Sequence, residues 1–250
     1  IKAKRIIHNQ EEQTVYYEDA SFELFGMPIA YLPFFSHPDP TVKRQSGFLR
    51  PNFVYDKDLG YAVEVPYYFA LAEDYDLTVA ATTYSLQGPL GEFEWRQRFE
   101  KGGYYIRGAG IYQLDPDRFD LLSDNHQKFR GALQTAGQFQ INDFWKWGWT
   151  GTLQSDDIFL RTYDLTDATE VRDQVLLTGQ SARNWFDLRT VHYQVFRESS
   201  TNSNALQPFI HPVMDYNYIF DQTVLGGRLS LDTNILSLNR TDAEFLPLYP

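Results

Sequence analysis

The chain has 250 residues, with 22 Lys and Arg against 33 Asp and Glu, a formal net charge of -11 and no cysteine. The acidic excess disfavours a nucleic-acid partner, which needs a Lys/Arg surplus on one face. The missing cysteines exclude thiol catalysis, zinc fingers, iron–sulfur clusters and disulfides within the segment.

No run of 18 apolar residues is present, so no transmembrane helix is predicted. The mean hydropathy of -0.43 resembles that of a soluble protein. That inference is unsafe for strands, because a transmembrane strand needs only about 9–11 residues and only every second one must be apolar. The 16% aromatic content points the same way, since Tyr, Trp and Phe collect at membrane interfaces. No signal peptide is visible ahead of Ile1.

In chain order, residues 2–7, 14–18, 21–25 and 29–32 read as short strands. Pro33, Pro38 and Pro40 follow within eight residues. Each lacks an N–H to donate, so this stretch is expected to lie outside any sheet. The expected organisation is a first domain over 1–36, a junction over 37–46, and a second domain over 47–250 with about eleven strands.

From Gly47 onward the period is two. Residues 47–57 form the first expected strand and 60–72 the second. In the second, Tyr61, Val63, Val65, Tyr67, Phe69 and Leu71 share one face, and Ala62, Glu64, Pro66, Tyr68, Ala70 and Ala72 the other. The rhythm recurs where Phe93, Trp95 and Phe99 oppose Glu92, Glu94, Arg96 and Arg98. It recurs again where Leu133, Thr135 and Phe139 oppose Gln134, Gln138 and Gln140. Turn residues at 56–60, 87–91, 101–103, 155–157 and 201–204 separate the runs. Longer connections are expected at 115–128 and 156–172, with a short helical turn near 159–165. Runs of ten residues or more exceed the usual soluble strand of about 5–6. The fold class expected is all-β: an antiparallel transmembrane β-barrel, present in part.

The five histidines, at 8, 37, 126, 192 and 211, show no metal-ligand spacing. His37 and Asp39 place an imidazole near a carboxylate without a nucleophile, and read as a turn that orders the junction. Asp156 and Asp157 are adjacent, so on a strand they would point to opposite faces and could not flank one glycosidic bond. No Gly-rich phosphate loop and no Gly-x-Ser-x-Gly is present. No enzyme activity and no cofactor is expected.

The run Ala20-Ser21-Phe22-Glu23-Leu24-Phe25-Gly26-Met27-Pro28-Ile29-Ala30-Tyr31-Leu32-Pro33, followed by Phe34 to Leu49, resembles the LptD family of lipopolysaccharide-assembly proteins. So do Tyr84 to Leu90, Glu94 to Arg98, Gly110 to Asp115 and Asp156 to Leu165. The likeness is dense over 20–165 and thinner beyond. It implies the last strands of a periplasmic β-jellyroll over 1–36, then the first part of a large outer-membrane barrel. An open edge is not tolerated in lipid, so residues are expected to be missing at both ends.

The resemblance also implies a function: insertion of lipopolysaccharide into the outer leaflet through a lateral gate. Pro51 and Pro66 match the prolines associated with that gate; the plain alternative is an ordinary edge or bulge proline. A lipid path is expected along Phe22, Leu24, Ile29, Tyr31, Leu32, Phe34, Phe35 and Phe48, because acyl chains in water need an apolar lining at about 0.8 kcal/mol per CH₂. The alternative is that these are jellyroll core.

Glu92, Glu94, Arg96 and Arg98, with Arg107 and Gln113 nearby, are candidates for contact with phosphorylated sugars, or simply a solvated barrel interior. Phe144, Trp145, Trp147 and Trp149 read as an interfacial girdle. The partners implied are lipopolysaccharide, outer-membrane lipid, a lipoprotein plug similar to LptE, and a periplasmic bridge similar to LptA that docks upstream of residue 1. Two rivals stand beside this reading: another outer-membrane porin or receptor, and a soluble polysaccharide-binding β-sandwich.

Overall fold

The computed structural model describes residues 2–24, 27–39, 42, 44–119, 127–196 and 204–241. The chain divides into two compact units, Ile1–Gly47 and Phe48–Pro250.

The first unit is a three-stranded antiparallel sheet of β1 (Lys2–Asn9), β2 (Thr14–Leu24) and β3 (Met27–Pro38), in that order. Two expectations are corrected here. The runs 14–18 and 21–25 are not separate strands but one, β2, with Phe25 outside the described residues. Asp19 sits mid-strand at a φ of 52°, yet the pairing with β3 runs on in register across it, from Glu18 opposite Phe34 to Ala20 opposite Leu32. The prolines do not end the sheet either, because β3 runs through Pro33 to Pro38. Among the described residues β3 pairs with β2 alone and ends the sheet, a position where prolines, which lack an N–H, are tolerated.

The second unit begins with β4 (Gly47–Phe48), β5 (Asn52–Asp56), β6 (Gly60–Phe69), β7 (Tyr75–Tyr84), β8 (Gly88–Phe99) and β9 (Gly102–Tyr112). It continues with β10 (Phe129–Gln140), β11 (Trp145–Gln154), β12 (Glu170–Ser181), β13 (Asn184–Val195), β14 (Phe209–Val224) and β15 (Gly227–Asn239). The strands form one antiparallel meander, each paired with its sequence neighbour. Both β4 and β5 pair with β6, so the expected continuous first strand 47–57 is two pieces in one position. The sheet is not closed: among the described residues β15 ends it on one side and the β4–β5 pieces on the other.

The pleat sorts residues by polarity. On β6, Tyr61 is 72% exposed and Val63 40%, whereas Ala62 between them is 3% exposed. The exposed face carries the apolar side chains, the reverse of a soluble sheet, and is what a lipid-facing surface requires. The inner face, defined by the connection that packs on it, carries Glu64 opposite Thr82, Glu94 opposite Arg107 and Arg107 opposite Gln134, with Glu92 on the same side of β8. At an advance of about 3.4 Å per residue, strands of ten to sixteen residues, β6 to β15, are long enough to cross a hydrocarbon layer when tilted.

One end of the sheet has only short turns, at 70–74, 100–101, 141–144, 182–183 and 225–226. The other end carries the connections 113–128, 155–169 and 196–208. Two of these match the expected long connections; the third lies where the sequence offered only a turn signal. The connection 155–169 holds a single helical turn, α1 (Phe159–Thr162), whose Phe159 and Leu160 are buried. The buried apolar cluster gathers around it, with Phe159, Leu160 and Tyr163 against Ala62, Tyr84, Leu90 and Ile111 of the inner face.

Candidate gate and lumen site

Pro51 and Pro66 meet at one defect. Pro51 lies in the gap between β4 and β5, not inside a strand as expected, because no residue of 49–51 joins the ladder. The β5–β6 register ends at Asn52 opposite Glu64, and its continuation would set Arg50 opposite Pro66. Instead the Leu49 N–H donates to the Pro66 carbonyl at 2.9 Å, so the pairing slips by one residue across the gap. In a strand the N–H and C=O of one residue point to the same neighbour. The donor that Pro66 lacks is therefore missing toward the first strand, while Pro66 stays paired in register with Ala80 of β7. The prolines weaken the edge ladder and leave the next one intact.

Pro66 and Leu49 also line a cavity of about 310 Å³ on the inner face, together with Glu64, Glu92, Glu94, Arg107 and Gln134. Leu160 and Leu165 of the long connection also line it. The expected lumen face is thus one array. Thr82 Oγ1 donates to Glu92 at 3.0 Å, and Arg107 Nε to Gln134 Oε1 at 2.8 Å. Arg96 Nε bonds Asp76 at 2.7 Å and lies 3.5 Å from Glu94. Arg98 follows on the same face, opposite Gly103, and is exposed. At the cavity itself three carboxylates, Glu64, Glu92 and Glu94, stand against one guanidinium, Arg107.

The register divides the expected lipid path. Tyr31 pairs with Ser21 and Phe35 with Tyr17, which places them on one face of the small sheet; Leu32 and Phe34, opposite Ala20 and Glu18, lie on the other. Phe34 is 78% exposed and borders a shallow groove with Ile7 and Tyr16. Phe22, Leu24 and Ile29 lie on β2 and β3, but their side chains fall outside the described residues. Phe48 is exposed and packs edge-on against Tyr67 at 4.9 Å. His37, expected in a turn, lies instead within β3, where its Nε2 is 2.9 Å from Tyr17 Oη; Asp39, just beyond the strand, pairs with His8 at 2.6 Å.

Trp145, Trp147 and Trp149 share the outward face of β11. Trp147 and Trp149 stack at 5.2 Å and lie at 5.7 and 6.0 Å from Phe139. With Phe99, Tyr104 and Phe186 they form a belt near the short-turn end. Phe144 sits in the adjoining turn and is exposed.

Arg130 was not singled out by sequence, yet it organises the loop end. It is fully buried on the inner face of β10, with Nε and Nη2 on the two oxygens of Asp156 at 2.8 and 2.7 Å. Nη1 reaches Gln113 at 3.2 Å, and the guanidinium lies 5.5 Å from the ring centres of Phe159 and Tyr163. Tyr163 Oη donates to Gln113 Oε1 at 2.5 Å. Burial works to raise the Asp156 carboxyl, and the Arg130 bonds overcome it and hold it below the usual carboxylate range. Burial pushes the Tyr163 phenol up to about 12. The sequence signals for this cluster were the carboxylates at 156 and 157, Gln113 and the helical turn expected near 159–165, none of which pointed to Arg130.

Two family models match the chain in succession: one described as LptD protein over residues 15–112, one as LPS transport system D over residues 128–244. A protein of Idiomarina loihiensis named LPS-assembly protein LptD is 30% identical over 222 residues, covering 87% of this chain and 28% of the relative. Proteins of the same name from Francisella tularensis subsp. novicida and Yersinia pestis are 35% identical over 137 residues and 28% over 262. They cover 53% and 98% of this chain, and 14% and 31% of themselves. The chain therefore spans less than a third of the relatives it matches. A polar inner face, an apolar outer face and these successive matches lead to one assignment: the chain belongs to the LptD family.

Proposed function

We propose that this segment is part of an outer-membrane translocon that delivers lipopolysaccharide to the outer leaflet through a lateral opening at the first barrel strand. The observation that carries the reading is the break at 49–51 facing Pro66, beside the inner-face cavity. A ladder that lacks bonds at one place separates there at lower cost, since each backbone hydrogen bond contributes roughly 0.5–1.5 kcal/mol net. The relatives' name, LPS-assembly protein, supports the cargo.

In this reading residues 1–36 are periplasmic, the face of the small sheet that carries Tyr31 and Phe35 meets acyl chains there, and Phe48 meets them in the second unit. The prolines at 51 and 66 form one side of the gate. Glu92, Glu94, Arg96 and Arg98 face the aqueous interior. A lipoprotein plug and a periplasmic bridge protein complete the assembly, and the segment carries no chemistry of its own. A soluble sandwich would bury the apolar face of β6 against a second sheet, whereas Tyr61 and Val63 are exposed.

The test is photocrosslinking in living cells with the full-length protein. Probes go at Tyr31, Phe35 and Phe48, with Glu94 as the interior comparison. A lipopolysaccharide adduct at the junction positions supports the reading. Correct outer-membrane assembly with no adduct at any position overturns the cargo and leaves the barrel.

A further inference from the structure

The outward face over β11 to β14 carries two adjoining depressions that the gate does not use. Nearest the short-turn end is a bowl of about 150 Å³. Trp145, Phe186, Tyr216 and Tyr218 supply its aromatic wall, and Ser181 and Asn184 its polar rim. Trp145 and Phe186 lie 5.3 Å apart and tilted, and Phe186 meets Tyr216 edge-on at 6.1 Å. Gly179, between them on β12, adds no side chain.

Farther along the same strands is a groove of about 510 Å³ lined by Trp147, Val175, Leu177, Leu188 and Pro212. One bulge flanks it: β14 carries an extra residue between Ile210 and Val213, opposite Arg189–Val191 of β13 and Leu236–Leu238 of β15. A bulge bends its strand and raises the local twist, which opens a furrow beside it. From the turn toward mid-strand, side chains on this face run polar, aromatic, then aliphatic.

That gradient, polar at the turn and aliphatic toward mid-strand, fits a phospholipid lying along the barrel with its headgroup folded back over the bowl. The turn beneath the bowl carries Arg183, ion-paired with Asp221, which is 86% exposed. A plus–minus pair beside aromatic rings complements a zwitterion better than a purely anionic headgroup: ring faces attract an ammonium and the guanidinium suits a phosphate. We propose that this face is a binding site for one phospholipid with a protonated-amine headgroup. Its ammonium sits in the aromatic bowl, its phosphate by Arg183, and an acyl chain in the Leu177–Leu188 groove. The proposal rests on the membrane reading of the barrel above.

The test uses the full-length protein in phosphatidylglycerol nanodiscs. Trace phosphatidylethanolamine or phosphatidylglycerol is added, each carrying the same acyl-chain photoprobe, and adducts are mapped by peptide. The ethanolamine probe should label 175–190 and 209–218 about tenfold more than the glycerol probe. Phe186→Leu with Tyr216→Leu should erase that preference, and Arg183→Gln should lower labelling of the site by both probes, while the barrel keeps its heat-modifiable gel mobility. Equal labelling by both probes overturns the site and leaves ordinary annular lipid. Absence of acyl labelling on every strand's outward face overturns the membrane reading instead, so the two failures are told apart.

Discussion

The Arg130 guanidinium and the Asp156 carboxylate form a two-point ion pair, at 2.8 and 2.7 Å, with 0% and 2% of their side chains exposed. The pair joins strand β10 to the connection 155–169 and so holds Leu160 and Leu165 over the cavity beside Pro66. It is the one fully buried charge pair described, and several expected outcomes follow from what it links.

Asp156→Asn removes one charge and leaves a sealed guanidinium uncompensated. Breaking a buried pair in this way costs about 3–5 kcal/mol. Urea unfolding of the refolded barrel, followed by heat-modifiable gel mobility, should show the single variant far below wild type. Arg130→Met with Asp156→Leu should recover much of the loss, because an apolar pair of similar size carries no desolvation penalty. A double variant as unstable as the single one would show that the ion pair itself, not burial, holds the connection.

The same pair sets an acid limit. The Asp156 carboxyl is depressed in the folded protein, so its contribution is fully present above the ordinary carboxylate value of about 3.9 and is lost as pH falls through the lower folded value. Limited proteolysis within 155–169 should stay slow from neutral pH down to about 4, by that reference value. Cleavage that accelerates between pH 7 and 5 would contradict this assignment.

Tyr163 sets the alkaline limit. Its phenol donates to Gln113 and is pushed up to about 12 by burial. A raised value favours the protonated folded state, so stability from this group is full below about 10, the unfolded value, and falls as pH rises through the folded one. Tyr163→Phe should flatten the alkaline arm of the stability curve and lower the plateau by about 1–3 kcal/mol, because Gln113 loses a buried partner.

Pro66→Ala supplies an N–H on the side facing the first strand. The expected result is a tighter β4–β6 ladder and slower appearance of new lipopolysaccharide at the cell surface, measured by pulse labelling with the full-length protein. Pro51→Ala should act in the same direction and less strongly, since Pro51 lies in the gap and has no ladder partner to regain. Unchanged delivery in both variants removes the gate role.

Gly137 lies beneath the Trp149 ring, where an added Cβ would come within 2.4 Å of ring carbons. Trp149 Nε1 also donates to Thr135 Oγ1 at 3.1 Å, which fixes the ring against the strand. Gly137→Val should displace the indole and cost about 1–3 kcal/mol through overpacking. Loss of the Trp149 contribution to near-ultraviolet circular dichroism, with the barrel retained, is the signature to look for.

Alternation alone determined the second unit's character. Tyr61, Val63 and Val65 against Ala62, Glu64 and Pro66 imposed a strand with two unlike faces, because successive side chains leave a pleat on opposite sides. The shared parity of Trp145, Trp147 and Trp149 placed an aromatic belt on one face for the same reason. Alternation is a property of neighbours in the chain, and it needs no knowledge of what pairs with what.

Three things were decided only by tertiary structure. β3 accommodates Pro33 and Pro38 because, among the described residues, it ends its sheet, and that position depends on sheet order, which sequence spacing does not encode. The one-residue slip that sets Leu49, not Arg50, on Pro66 is a relation between two strands. The burial of Arg130 against Asp156 spans 26 positions, and in the sequence a lone Arg on a polar face is indistinguishable from a solvated one. Local pattern fixes which way a side chain points, while its partner is set by long-range contacts that form only when the sheet does.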